Sequence, residues 1–175
     1  MSTTKWVLDP NHSELQFKVK HLMISNVTGS FNVINATVDA ADENFKNAKV
    51  SFTADVTSID TGNEQRDGHL KAADFFDTEK FPAMKFNAKN YDPSTGKIDG
   101  DLTIKDVTKP ASFEVEFNGV SKDLWGNEKA GFSLSGKINR KDWGLTWNAA
   151  LETGGVVLSE DVKVNAEVQL IKQAA

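Results

Sequence analysis

An all-β domain with one helical insertion is the fold that this sequence predicts. Three observations predict it. Apolar residues recur at every second position in segment after segment, the pattern of strands with one buried and one wet face. Clusters of turn-forming residues separate those segments at short intervals, which implies antiparallel pairing. Only one stretch, beginning at Thr61, has helical spacing instead.

Segment 6–9 is extended but short, and is not cleanly phased. In SELQFKVKH (13–21), Leu15, Phe17, Val19 and His21 fall on one face, with Glu14, Gln16, Lys18 and Lys20 on the other. Segment 31–38 is again extended with weaker phasing. KVSFTADVTS (49–58) puts Val50, Phe52, Ala54 and Val56 together. TGNEQRDGHLKAADFFD then predicts a helix over about 63–73, in which Arg66, His69, Leu70 and Ala73 share one face at i, i+3, i+4 and i+7. Alternation resumes with Met84, Phe86 and Ala88, and continues with Ile98, Gly100, Leu102 and Ile104. Phe113, Val115 and Phe117 follow, then Ala130, Phe132, Leu134, Gly136 and Ile138, and last Val162, Val164, Ala166, Val168 and Leu170. Turns are expected at DPSTGK (92–97), DVTKP (106–110) and LWGNEK (124–129). About eight or nine strands result, which fits either a sandwich or a closed barrel. The outward faces are densely charged, which excludes an outer-membrane barrel with its apolar exterior.

At 175 residues the chain suffices for one domain, 1–175, with a sizeable core. The net charge of −5 argues against nucleic acid or an anionic membrane as the main partner, because both select for basic surfaces. The absence of cysteine excludes disulfides, zinc–thiolate sites and cysteine catalysis. The start, MSTTKWVLDPNHSE, has neither the apolar stretch nor the small-residue cleavage site of a leader. The expected location is therefore cytoplasmic, or periplasmic if a leader has been removed.

Polar residues stand at inward positions. His21 ends the face of Leu15, Phe17 and Val19, Arg140 follows the parity of Phe132, Leu134 and Ile138, and Arg66 and His69 share the apolar side of the helix. Two readings fit the arginines. In one, each joins a structural network with Asp67, Asp74 or Asp142 near a barrel rim, Arg140 reaching water from a strand end. In the other, they hold the polar head of a ligand whose tail lies in a cavity. The small inward residues Ala54, Ala88, Gly100, Ala130, Gly136 and Ala166 likewise either leave room for a ligand or seat neighbouring Phe rings.

Catalytic templates fit poorly. The three histidines, His12, His21 and His69, could in principle ligate zinc, but no pair has local metal-motif spacing, and His12 in DPNHS suits a turn. Ser13 beside His12 points to the opposite strand face, Glu114 and Glu116 alternate outward, and G-x-S-x-G is absent. No metal or other cofactor is expected. Trp125 and Trp147, in loop-like contexts, mark either a contact surface or local caps.

WVLDPNHSELQFKVKHL, VTGSF, IDTGNEQRDGHLKAADFFDTEKFP, IDGDLTIKDVTKP and INRKDWGL, in that order, together resemble the YceI-like family of bacterial lipid-binding proteins from about Trp6 to Leu170. The resemblance implies a single antiparallel, extended, lipocalin-like eight-stranded barrel around a long hydrophobic pore, with the helix beside its opening. It also implies an amphiphilic long-chain ligand such as a polyisoprenoid, an isoprenoid quinone or a fatty-acid derivative. Many members are exported and start with a signal peptide; this chain starts without one.

The reading of the sequence is thus non-catalytic binding, sequestration or transport of such a lipid. The expected cavity walls are Phe17, Val19, Phe52, Val56, Phe86 and Leu102 in the first half of the chain, with Phe113, Val115, Phe132, Leu134, Val164 and Val168 in the second. His21, Arg66, His69 and Arg140 are expected at the polar head or rim. At ~0.8 kcal/mol per buried methylene, about ten methylenes give a gross gain of roughly 8 kcal/mol before the cost of ordering the chain. The expected partners are this ligand, a second copy of the chain, and a membrane touched transiently during lipid exchange. Two alternatives remain: an enzyme acting on an amphiphile through His21 and His69, and a filled, structural or stress-related barrel.

Overall fold

A computed structural model describes residues 3–22, 24–73, 75–145 and 158–173. Its strands are β1 (Thr4–Leu8), β2 (Glu14–His21), β3 (Ser25–Phe31), β4 (Ile34–Ala40), β5 (Lys49–Asp55), β6 (Ile59–Asp60), β7 (Ala83–Ala88), β8 (Lys97–Ile104), β9 (Val107–Lys122), β10 (Glu128–Asn139) and β11 (Leu158–Lys172). The α-helix α1 spans Glu64–Lys71. All pairings between these strands are antiparallel.

These strands occupy eight positions around a closed barrel, because three positions are filled by a strand broken in two. β1 and β2 run along opposite ends of β11, with Leu8 opposite Leu170 and Phe17 opposite Val164. β4 and β3 continue one another in the same way, pairing with β1 and β2 respectively. β5 pairs with β4 and β6 with β3. β7 to β11 follow as a meander, and β11 closes the ring on β1. β2–β3, β4–β5, β7–β8, β8–β9 and β9–β10 pair strands adjacent in sequence, as the short connections predict. Closure removes free sheet edges, the standing hazard of all-β folds.

The breaks have local causes. Asp9 caps a 310 turn over Pro10–His12, its Oδ1 accepting from Asn11 N at 3.0 Å. Asp55 caps a second over Val56–Ser58, accepting from Thr57 N at 2.9 Å. Both are the aspartate caps expected where a strand gives way to a turn.

Two details depart from the sequence reading. α1 ends at Lys71, so Ala73 lies beyond it and is exposed. DVTKP is mostly strand: the turn contracts to Lys105 and Asp106, because Lys105 takes a left-handed φ of 58° and Ile104 pairs directly with Val107. The ends of the barrel then follow from the topology. The β2–β3 turn, the 61–82 connection with α1, the β8–β9 turn and the 310 turn Arg140–Trp143 share one end. Residues 41–48, 89–96 and 123–127 share the other.

Candidate functional site

The barrel encloses a cavity of about 450 Å³, within the range of roughly 300–1,000 Å³ typical of small-molecule sites. Phe17, Val19, Phe52, Phe86, Leu102 and Phe113 line it, as do Val115, Phe132, Leu134, Val164 and Val168. Val56 does not. Parity places it with Phe52 and Ala54, but β5 ends at Asp55, and Val56 opens the 310 turn with its side chain fully buried outside the lining. The lining residues of the mid-barrel, among them Phe17, Phe52, Leu102, Leu134 and Val164, are only half-buried although they point inward. A filled core would bury them as completely as Leu8 and Ile34, which are buried outside the lining. Their residual exposure is the wall of the cavity.

Small inward residues divide between the two roles open to them. Ala54 and Ala166 line the cavity. Gly136 does not: the Phe113 ring lies over it, where a Cβ would collide with the ring. Gly100 seats Phe86 in the same manner, and Gly29 seats Phe17. Ala88 and Ala130 are buried outside the lining.

The four polar residues singled out in the sequence all line the cavity and gather at one end of it. His21 ends β2 opposite Leu158. α1 is held there by Asn63, whose Oδ1 accepts from Arg66 N at 3.0 Å. Arg66 is exposed, and its partner is Thr61 rather than an aspartate: Nε donates to Thr61 Oγ1 and Nη2 to Thr61 O, both at 2.7 Å. Thr61 in turn donates its N–H and hydroxyl to Asp67 Oδ1. The spacing of α1 suggests a face turned to the core, yet the helix buries no residue fully. Leu70 packs against the core cluster, and the exposed His69 ring stands edge-on to Phe75 at 5.1 Å.

Arg140 differs from Arg66 and from its expected place. It stands in a 310 turn, 3% exposed, not at a water-reaching strand end. Nη1 donates to Leu145 O at 2.6 Å and Nε to Ser159 O at 2.9 Å. Burial pulls the guanidinium below its ordinary pKa, and the Glu160 carboxylate partly restores it. Asn139 caps the turn and Gly144, at φ 80°, closes it. Trp143 ties it to β8 by donating Nε1–H to Leu102 O at 2.8 Å. Asp74 and Trp147 lie outside the described residues.

The far end is closed by aromatic rings. Phe45, in the polar connection 41–48, turns into the barrel and lies 5.2 Å from Trp6, 5.5 Å from Phe117 and 5.0 Å from Phe132, centroid to centroid. Phe117 and Phe132 stack at 5.0 Å, and Tyr91 meets Phe132 edge-on at 6.4 Å. Burial raises the Tyr91 phenol above its ordinary pKa, helped by the Asp92 charge. The alternation pattern misses Phe45 because it belongs to no strand. The signal available was a lone large aromatic amid Asp42, Glu43, Asn44, Lys46 and Asn47.

His12 is not with the other histidines. It bonds through Nδ1 to Asp9 Oδ2 at 2.8 Å and does not line the cavity. Asp9 is buried and also receives Lys129 Nζ at 2.7 Å. Lys129, then burial acting in the opposite sense, then His12 set its pKa, which falls to about 2. Among the described residues no group of three or more His, Asp or Glu is placed to hold a metal ion. No helix among them is long and apolar enough to cross a membrane. Trp125 is 81% exposed at the tip of the β9–β10 turn, beside Leu124.

Fold and site define a lipocalin-like, eight-stranded barrel with an apolar cavity and polar groups gathered at one end. More particularly, the chain belongs to the YceI-like domain family, whose model matches residues 6–170. The UPF0312 protein SAS2572 of Staphylococcus aureus (strain MSSA476) is 44% identical over 167 residues, covering 95% of this chain and 96% of that one. Among solved structures, the YCEI protein of Campylobacter jejuni is similar with a TM-score of 0.74 at 39% identity, covering 89% of this chain and 90% of that one. A polyisoprenoid binding domain from Saccharophagus degradans has a TM-score of 0.72 over 96% of this chain and 98% of its own, at 16% identity, and shares the fold.

Proposed function

We propose that the protein binds a long-chain amphiphile, a polyisoprenoid, an isoprenoid quinone or a fatty-acid derivative, in the barrel cavity, and sequesters or carries it unchanged. The observation that carries this reading is the contrast along the inward face. Mid-barrel residues such as Phe52, Leu134 and Val164 keep accessible apolar surface, while the far end is packed and the polar groups stand at the opposite one. A chain filling that space removes apolar surface of both wall and ligand from water, at ~25 cal/mol per Å². Arg66, His69 and His21 then stand where a polar head emerges. The name of the Saccharophagus domain agrees with this ligand class, with the weight of a shared fold.

Ala166→Phe tests it. A phenyl ring at this lining position should lower the affinity for oleic acid or geranylgeraniol at least about tenfold, with the circular dichroism of a folded barrel retained. Leu134→Trp, at a roomier wall position, makes the same test should Ala166→Phe disturb folding. Unchanged affinity in both folded variants would contradict cavity binding. Turnover of an amphiphile that disappears in the His21→Ala, His69→Ala double variant would replace carriage by catalysis. The reading includes a homodimer, checked by sedimentation, and brief membrane contact at the polar end. For that contact, cargo should leave faster as acceptor vesicles become more concentrated, and a vesicle-independent rate would count against it.

A further inference from the structure

We infer that Phe45 sets the length of chain the cavity accepts, acting as the floor against which the tip of a bound tail stops. This rests on the binding reading above and deepens it, from an apolar cavity to one selective for chain length.

Phe45 is part of the cavity lining yet only 2% exposed, so its ring is packed on nearly every side and ends the cavity there. Trp6, Phe117 and Phe132 hold it. Its backbone is equally committed. Phe45 has a φ of 63°, a left-handed conformation disfavoured for a bulky residue with a Cβ. The surrounding turn holds it there: Phe45 N donates to Asp42 O, Ala48 N donates to Phe45 O, and Asn47 N donates to Tyr91 O at 2.9 Å on the neighbouring connection. Asn47, at φ 54°, completes the bend that turns the side chain into the barrel. A bulky aromatic in a disfavoured conformation within a polar connection is explained by what its side chain does, which is to close the barrel.

The small neighbours cannot take over: Ala40, Ala48, Ala88 and Ala130 are buried at this end, and a methyl group cannot swing into a vacated space, while Phe117 and Phe132 are stacked against each other. The inward residues of β11 from Val162 to Leu170 run the length of the cavity, roughly 26 Å along the strand and about 20 Å along the axis once barrel tilt is allowed for. A tail longer than that space must fold back or leave methylenes in water at the polar end, a loss of roughly fourfold in affinity per methylene.

The test compares the intact protein with Phe45→Ala and Phe45→Leu against saturated fatty acids from decanoic to docosanoic acid, in competition read by native mass spectrometry. For the parent protein, affinity should climb with chain length and then level off or fall. In Phe45→Ala that break should move to longer acids, with a smaller displacement in Phe45→Leu. A break at the same length in all three proteins, with the variants merely less stable to heat, would overturn the inference and leave the binding reading standing. If no acid binds the parent protein, the binding reading fails first and the inference with it. Phe45→Leu, which keeps most of the buried volume, carries the comparison if Phe45→Ala does not fold.

Discussion

Arg66 and Arg140 meet the same cavity under opposite conditions, and they should respond differently to removal. Arg140 is buried and donates to two backbone oxygens, so Arg140→Ala strands those acceptors and should cost about 3 kcal/mol in urea unfolding. Arg66 is exposed and holds only the Thr61 corner, so Arg66→Ala should change stability by less than about 1 kcal/mol. Binding should show the reverse order. Losing the Arg66 charge should weaken a fatty acid by roughly tenfold and a hydrocarbon of equal length hardly at all, the difference shrinking as salt rises. Equal losses for both ligands would remove Arg66 from the head-group site. Periodicity alone could find these residues, since an arginine at an apolar position of a strand or helix pattern is conspicuous in a sequence. It could not tell the buried one from the exposed one, because that depends on how the 310 turn of Arg140 and the helix of Arg66 pack against the barrel.

Among the elements, the broken strands were the part hardest to read. DPNHS, at the first break, invites a search for nucleophile and base, yet its residues build a joint. Asp9 caps the turn, bonds His12 and Lys129, and donates its own N–H to Gln169 O at 2.8 Å, while Ser13 Oγ accepts from Gln169 N at 3.0 Å. The pH dependence follows from the depressed carboxyl. Its folded pKa of about 2 lies below the ordinary 3.8, so the contribution, roughly 2 kcal/mol, is fully present above pH ~4 and is lost as pH falls towards ~2. Asp9→Asn should therefore lower stability at neutral pH and flatten the acid limb of the stability curve in that window. An unaltered acid limb would show that the Asp9–Lys129 pair contributes nothing. The other family motifs behave alike: Asn63 and Asn139 cap the turns of IDTGNEQRD and INRKDWGL. They were legible as motifs; that most of their polar atoms serve joints became visible only with hydrogen-bond partners in place.

For the whole molecule, alternation established the strands and which face of each is buried, because period two is a property of the backbone itself. It left sandwich and barrel undivided, since closure depends on β1 meeting β11 across the full length of the chain. Resemblance to the YceI-like family supplied the barrel. Whether small inward residues mean space was also beyond the sequence: Ala54 and Ala166 face the cavity, while Gly100 and Gly136 lie beneath rings. The central claim is a hollow barrel that holds a long apolar chain. Native mass spectrometry of the protein as purified, followed by organic extraction, tests it most directly. The account predicts a stoichiometric long-chain amphiphile, or its uptake when polyisoprenols and fatty acids are added. A mass that stays that of the bare chain through both steps would contradict it.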